Sequence, residues 1–411
     1  MKINKHCFPN GLRLVHYEDT STQMVALNIV YDVGARDEHP EHTGFAHLFE
    51  HLMFGGSAHI PDYDTPLQLA GGENNAWTNN DITNYYLTVP KPNVETAFWL
   101  ESDRMLELAF SEQSLEVQRG VVMEEFKQRC LNQPYGDVGH LFRPLAFRVH
   151  PYRWPTIGKE LSHIEQATLD EVKSFFYRFY APNNAVLAVT GNISWDETVK
   201  LTEKWFAPIP RRDVPVRQLP QEPEQTQERR LTVERNVPLD ALFMGYHMCS
   251  REGADYYVFD ILSDILSNGR SSRLNRRLVQ EQNIFSGIDA YISGTRDAGL
   301  LQISGKPAAG VSLEQAEAAV RKELEELQRS PVDGQELEKV KNKFESTQIF
   351  GNINYLNVAT NLAWFELTGK AEDIDLEVER YRSVTTEQLH TVAQRTFCES
   401  NAVVLYYKSD K

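Results

Sequence analysis

The segment GFAHLFEHLMFGG, residues 44–56, places two histidines and a glutamate at a spacing that suits metal chemistry. His47 and His51 are four positions apart, so in a helix both imidazoles project from one face and can bind one zinc ion. Glu50 lies on the same side, where a carboxylate that does not ligate the metal can take a proton from a bound water. The pattern predicts a metal site that activates water.

The neighbours of these residues argue against an ordinary solvated helix. Apolar side chains surround them nearly all round: Phe45, Ala46, Leu48, Phe49, Leu52, Met53 and Phe54. A helix with such flanks is usually buried, and buried ionisable groups are rare unless they are paired or bind a metal. The order His-x-x-Glu-His is also the signature of inverted-motif zinc peptidases.

A catalytic zinc site needs a third protein ligand, with water in the fourth position. The segment QRGVVMEEFKQR offers Glu124 and Glu125. Helical geometry places Gln118, Val122 and Glu125 along one stripe and Glu124 on an adjacent one. Spacing alone leaves both glutamates open.

Composition and charge restrict the class of protein and of partner. The 411 residues are 41% hydrophobic and 24% charged, as in a globular protein with room for two domains. The formal net charge of -16 repels phosphate backbones and anionic lipids, so we expect no nucleic-acid and no membrane partner. The four scattered cysteines predict no disulfide framework, and the lack of a long apolar stretch leads us to expect a cytoplasmic location.

An internal repeat predicts two homologous halves. The segment TLDEVKSFFYRFYAPNNAV from Thr168 aligns without gaps to TTEQLHTVAQRTFCESNAV from Thr385, an offset of 385 - 168 = 217. The alternative is that any helix-turn-strand unit would align this well. A Pro-rich, charged, aperiodic segment lies between the halves, so we predict domains at 1–210 and 231–411 with a linker at 211–230.

The run GFAHLFEHLMFGGS, residues 44–57, resembles the pitrilysin/insulinase family of zinc peptidases, particularly its short bacterial members and the mitochondrial processing peptidase branch. The resemblance implies that Glu125, which follows Val121-Val122, is the third zinc ligand and that Glu124 is a neighbour. It also implies that Asn75-Ala76-Trp77-Thr78 is a strand whose edge binds extended peptide, against the alternative of an ordinary sheet edge. Gln118 stands where the family has another glutamate.

In the second half, the resemblance implies an inactive copy. The stretch from Ser263 to Leu274, at the position of the metal helix, has no histidine or glutamate. Many relatives carry an arginine and a tyrosine seven residues apart in this half that grip substrate. At those positions this chain has Leu278 and Phe285, with Arg277 next door.

These observations predict an α+β fold of two homologous halves, each a mostly antiparallel sheet backed by helices, with metal ligands only in the first. The expected activity is peptide hydrolysis by zinc-bound water with Glu50 as general base. Since relatives close two such pairs into a chamber, we expect a homologous partner subunit or a homodimer. The alternatives are a non-catalytic structural or scaffold subunit and a zinc hydrolase acting on a non-peptide bond.

Overall fold

The computed structural model describes residues 1–410, in which eleven strands and fourteen α-helices are found. The strands are β1 (Asn4–Cys7), β2 (Arg13–Glu18), β3 (Met24–Tyr31), β4 (Glu73–Thr78), β5 (Thr83–Pro90), β6 (Ala185–Gly191), β7 (Arg229–Arg235), β8 (Ala241–His247), β9 (Phe285–Ile292), β10 (Leu300–Pro307) and β11 (Ala402–Ser409). The helices are α1 (Phe45–Leu52), α2 (Asp64–Leu69), α3 (Val94–Leu106), α4 (Glu112–Phe126), α5 (Val138–Ala146), α6 (Leu161–Glu165), α7 (Leu169–Phe179), α8 (Trp195–Phe206), α9 (Tyr256–Ser267), α10 (Leu313–Arg329), α11 (Gly334–Gly351), α12 (Tyr355–Thr368), α13 (Glu377–Arg382) and α14 (Thr386–Thr396).

The chain forms two compact units, and each is discontinuous in sequence. The first unit comprises residues 1–131, 154–220 and 349–376, and the second comprises 132–153, 221–348 and 377–410. The predicted contiguous domains 1–210 and 231–411 therefore need correction at two segments. Residues 132–153 belong to the second unit, and residues 349–376 belong to the first.

The first unit is built on a six-stranded sheet in the order β1-β2-β6-β3-β5-β4. Only β2 and β6 run parallel, and the other neighbours are antiparallel. Alternate residues of β3 face opposite layers: Leu27 and Ile29 join the core that includes α1, α3 and α7, whereas Ala26 and Val30 pack with α12. Both faces of the sheet are thus covered, and β4 forms one edge.

The second unit repeats this plan with five strands in the order β7-β11-β8-β10-β9. Here β7 and β11 are the parallel pair. Helices α9, α10 and α14 contribute to the core on one face, and α5 contributes Phe142 and Ala146 to the cluster with Val403 and Leu405 of β11. The predicted fold class, two mostly antiparallel sheets backed by helices, is confirmed.

The repeat found in the sequence matches equivalent structure in the two units. Helices α7 and α14 both begin with a capping box, formed by Thr168 with Glu171 and by Thr385 with Gln388. Strand β6, which follows α7, lies between a parallel and an antiparallel neighbour, as does β11 after α14.

The predicted linker has no regular structure between residues 210 and 228 but is anchored at several points. In the first unit, Arg217 Nε lies 2.6 Å from Asp37 Oδ1. In the second unit, the Glu222 carboxylate accepts hydrogen bonds from the backbone N–H groups of Arg148, Val149 and His150. Within residues 1–410, no helix combines the length and apolarity needed to cross a membrane.

Candidate metal centre

The helix that carries the His-x-x-Glu-His motif is held at its N-terminus by a buried carboxyl group. Helix α1 follows Gly44, whose φ of 88° favours glycine. The N–H groups of Gly44 and Ala46 donate to the two oxygens of Glu38 at 2.9 and 2.8 Å. Burial raises the pKa of Glu38 to about 8, against the opposing effect of these backbone donors. No sequence motif marks Glu38, which the fold alone brings to the helix.

Three potential ligands converge in the first unit. Nε2 of His47 lies 3.6 Å from Oε2 of Glu125, and Nε2 of His51 lies 3.4 Å from the same oxygen. Among residues 1–410, this is the one group of three or more His, Cys, Asp or Glu side chains whose donor atoms could hold a metal. A tetrahedral zinc with bonds of about 2.0–2.1 Å separates its ligand atoms by about 3.3 Å. The observed spacing fits a zinc ion held by these three side chains.

The electrostatics of His47 and Glu125 also suit a metal. Burial lowers the pKa of His47 to about 4, because the imidazolium form would lose its hydration. The pKa of Glu125 lies below its ordinary value, mainly because of its hydrogen bond with His51. A neutral imidazole and an ionised carboxylate are the protonation states that bind zinc.

The structure distinguishes Glu125 from Glu124, the two candidates for the third ligand between which spacing in the sequence does not decide. The Glu125 side chain is 19% exposed and faces the two histidines. The Glu124 side chain is 57% exposed, and its Oε2 lies 3.6 Å from Lys127 Nζ. Glu124 therefore points away from the group, and Glu125 is the residue placed to serve as third ligand. Gln118 lies half-buried on α4.

Arg129 is a further residue next to the group. Its Nη2 lies 2.9 Å from Oε1 of Glu125, four residues earlier in the chain. Arg129 belongs to a π-helical turn, Lys127–Leu131, that continues directly from α4. The i,i+4 spacing was a signal available in the sequence, although it does not by itself distinguish a ligand contact from an ordinary surface pair.

Glu50 is connected to the predicted substrate strand through Thr78. Thr78 Oγ1 donates a hydrogen bond of 2.6 Å to Oε2 of Glu50. Burial raises the pKa of Glu50, and the Thr78 hydrogen bond opposes the increase. A carboxylate with a raised pKa is a better proton acceptor than an exposed one, as a general base requires. The last residue of β4 thus orients the residue predicted to act as base.

The four predicted substrate-binding residues lie on the edge strand β4. Asn75 is exposed, Ala76 and Thr78 are half-buried, and Trp77 is 36% exposed. The N–H of Ala76 donates to the Asn75 side-chain oxygen at 2.8 Å. Since β4 pairs with β5 on one side only, its other side is an edge to which an extended peptide could add as a further strand.

At the corresponding positions, the second unit has neither the metal ligands nor the arginine–tyrosine pair. Helix α9 contains no histidine or glutamate. Leu278 and Phe285 are 1% and 0% exposed and belong to the hydrophobic core of that unit, so neither side chain is accessible to a ligand. The neighbouring Arg277 forms ion pairs with Glu323, at 2.6 Å, and with Glu326.

Two parts of the sequence match models of the same peptidase family. Residues 13–137 match the model for insulinase, peptidase family M16, and residues 166–344 match the model for the peptidase M16 inactive domain. Zinc protease PqqE of Helicobacter pylori is 26% identical, over 97% of this chain and 91% of the relative. The uncharacterised zinc protease YmxG of Bacillus subtilis is 25% identical, over 98% of both chains.

Solved structures show the same fold. A protease from Helicobacter pylori superposes with a TM-score of 0.93 at 25% identity, covering 99% of both chains. The ferredoxin protease FusC, solved in complex with Arabidopsis ferredoxin, superposes with a TM-score of 0.75 at 17% identity, and 47% of its chain is covered. The resemblance inferred from residues 44–57 is confirmed by the family models and relatives, and the chain belongs to the insulinase family, peptidase family M16.

Proposed function

We propose that this chain is a zinc-dependent endopeptidase that hydrolyses bonds in extended peptides. One observation carries the proposal: His47, His51 and Glu125 converge at ligand spacing, and Glu50 beside them is held by Thr78 of an edge strand. The proposed metal ligands, the proposed base and the proposed peptide-binding edge therefore all belong to the first unit. Relatives named as zinc proteases support the same activity.

Different residues of the chain would bind the metal, transfer the proton and orient the base. His47, His51 and Glu125 would hold the metal. A zinc ion bound there supplies a Lewis acid that lowers the pKa of a water and polarises a carbonyl. Glu50 accepts the proton of the attacking water and later delivers a proton to the departing amine. Thr78 keeps one carboxylate oxygen of Glu50 occupied and so fixes the orientation of the side chain.

The edge of β4 would bind the substrate through its main chain. Hydrogen bonds to backbone groups are independent of the substrate's side chains, so this mode of binding accepts varied sequences. Thr78 lies both at the end of β4 and in contact with Glu50. A peptide added along β4 would therefore run towards the base.

A second subunit is part of the proposal. Positions 278 and 285 are occupied here by buried core residues rather than by the substrate-gripping pair of many relatives. A homologous partner that carries such a pair would hold the substrate against the metal centre and exclude bulk water. A homodimer is the second possible arrangement of the same chamber.

The test is to measure zinc content and peptide cleavage in the wild-type chain, alone and with a homologous partner, and in two variants. We expect about one zinc per wild-type chain, since a three-ligand site is complete. His47→Ala should lose the metal, and Glu50→Gln should keep it while losing hydrolysis.

Glu124→Gln serves as a matched control, because this neighbour of the third ligand points to solvent. It should retain zinc and activity. Full zinc occupancy in His47→Ala would refute the metal assignment. Zinc binding without cleavage, with any homologous partner tested, would favour the alternative of a non-catalytic structural subunit.

A further inference from the structure

The two oxygens of the Glu125 carboxylate have different partners. Oε2 faces His47 and His51 at 3.6 and 3.4 Å, and Oε1 lies 2.9 Å from Nη2 of Arg129. The Arg129 side chain is 68% exposed, whereas that of Glu125 is 19% exposed. The mostly exposed guanidinium therefore contacts a different oxygen of the carboxylate from the one nearest to the two imidazoles.

We propose that Arg129 is a positioning residue that holds Glu125 as a ligand through Oε2 alone. The inference rests on the proposed zinc site. A carboxylate can bind a metal through one oxygen or through both, and binding through both uses a coordination position that water needs for hydrolysis. A charge-assisted hydrogen bond to Oε1 keeps that oxygen away from the metal. Groups that hydrogen-bond to metal ligands orient them in this way.

The contact contributes little to folding, which separates this role from a structural one. An ion pair at i,i+4 with one exposed partner typically contributes little to the stability of a protein. Removal of the guanidinium should therefore leave the fold of the metal-free chain intact. Its effect should instead be seen in the geometry and affinity of the metal site.

The same helical region provides a matched control. Lys127 also pairs with a glutamate of α4, its Nζ lying 3.6 Å from Oε2 of Glu124. That pair is more exposed, and neither of its side chains belongs to the group of potential ligands formed by His47, His51 and Glu125. Lys127→Met thus removes a nearby surface cation without touching a ligand.

The experiment compares Arg129→Met, Arg129→Lys and Lys127→Met with the wild-type chain. Zinc affinity is measured by competition with a chelator, and coordination by the visible spectrum of the cobalt-substituted protein. We expect Arg129→Met to bind zinc about 10- to 100-fold more weakly and to show a spectrum of higher coordination number. Arg129→Lys should recover most of the affinity, and Lys127→Met should match the wild type.

Wild-type affinity together with an unchanged cobalt spectrum in Arg129→Met would overturn the inference. A large fall in the melting temperature of metal-free Arg129→Met would do the same, since it would make the residue structural. If the wild-type chain binds no zinc, the proposed function fails as well. If the wild type binds zinc and Arg129→Met matches it in both zinc affinity and cobalt spectrum, only the role of Arg129 fails.

Discussion

The hydrogen bond between Thr78 and Glu50 offers a sharp test of the proposed base. Thr78→Val replaces a hydroxyl by a methyl group at the end of β4 and leaves the three potential ligands untouched. The hydroxyl donates to Oε2 of Glu50 at 2.6 Å and lowers the pKa of that carboxyl, whereas burial raises it. Removal of the donor should therefore raise the pKa of Glu50 further.

The size of the shift follows from the strength of the bond. A hydrogen bond to a charged group contributes about 1.5–3 kcal/mol, and one pKa unit corresponds to about 1.36 kcal/mol. Loss of this bond should thus raise the pKa of Glu50 in Thr78→Val. Since the base must be ionised, the acidic limb of the kcat/KM profile should move to higher pH. On that limb kcat/KM should fall about ten- to a hundredfold relative to the wild type, with the lower figure favoured because Glu50 is partly exposed to water.

The assay is the pH dependence of kcat/KM for a fluorogenic peptide, measured at equal zinc occupancy. At pH values well above the pKa of Glu50, wild type and variant should converge, because the base is ionised in both. Thr78→Ser keeps the hydroxyl and should restore the wild-type profile. An unshifted acidic limb in Thr78→Val, or a shift that Thr78→Ser fails to reverse, would refute the link between β4 and the base.

Three further predictions concern the ligand, the fold and the partner. Glu125→Gln should lower zinc affinity at least about tenfold, and Glu124→Gln should not, as measured by chelator competition; a reversed order would contradict the placement of these two side chains. Leu362→Ala on α12 should lower the free energy of unfolding by about 2–5 kcal/mol in denaturant titrations, since Leu362 is fully buried against the first sheet; an unchanged midpoint would contradict that packing. The isolated chain should cleave peptide weakly and gain activity with a homologous partner, and full activity from a homodimer identified by light scattering would contradict the need for a different subunit.

The local parts of the structure could be predicted from the sequence because they depend on short-range spacing. An i,i+4 pair of histidines projects from one side of any α-helix, and the apolar flanks of α1 indicate burial whatever the fold. The capping boxes at Thr168 and Thr385 depend only on residues within one turn. The repeat therefore indicated two similar halves before any tertiary contact was known.

The choice of third ligand required more than local spacing. Glu124 and Glu125 are consecutive on one helix, and both belong to faces that could meet α1. Only the packing of α4 against α1 turns Glu125 towards the histidines and leaves Glu124 beside Lys127. The family resemblance gave the same register, but its physical cause is tertiary.

The exchange of segments between the units was decided by tertiary structure alone. The apolar residues of α5 and α12 predict that each helix is at least partly buried, but they do not say which sheet the helix covers. In the folded chain α12 packs with Ala26 and Val30 of the first sheet, which are distant from it in the sequence. The contacts of Glu38 with the start of α1 and of Thr78 with Glu50 arise in the same way. Local spacing in the sequence indicates which residues could bind a metal and activate a water. Tertiary packing decides which of these residues meet, because their contacts join parts of the chain that no local pattern connects.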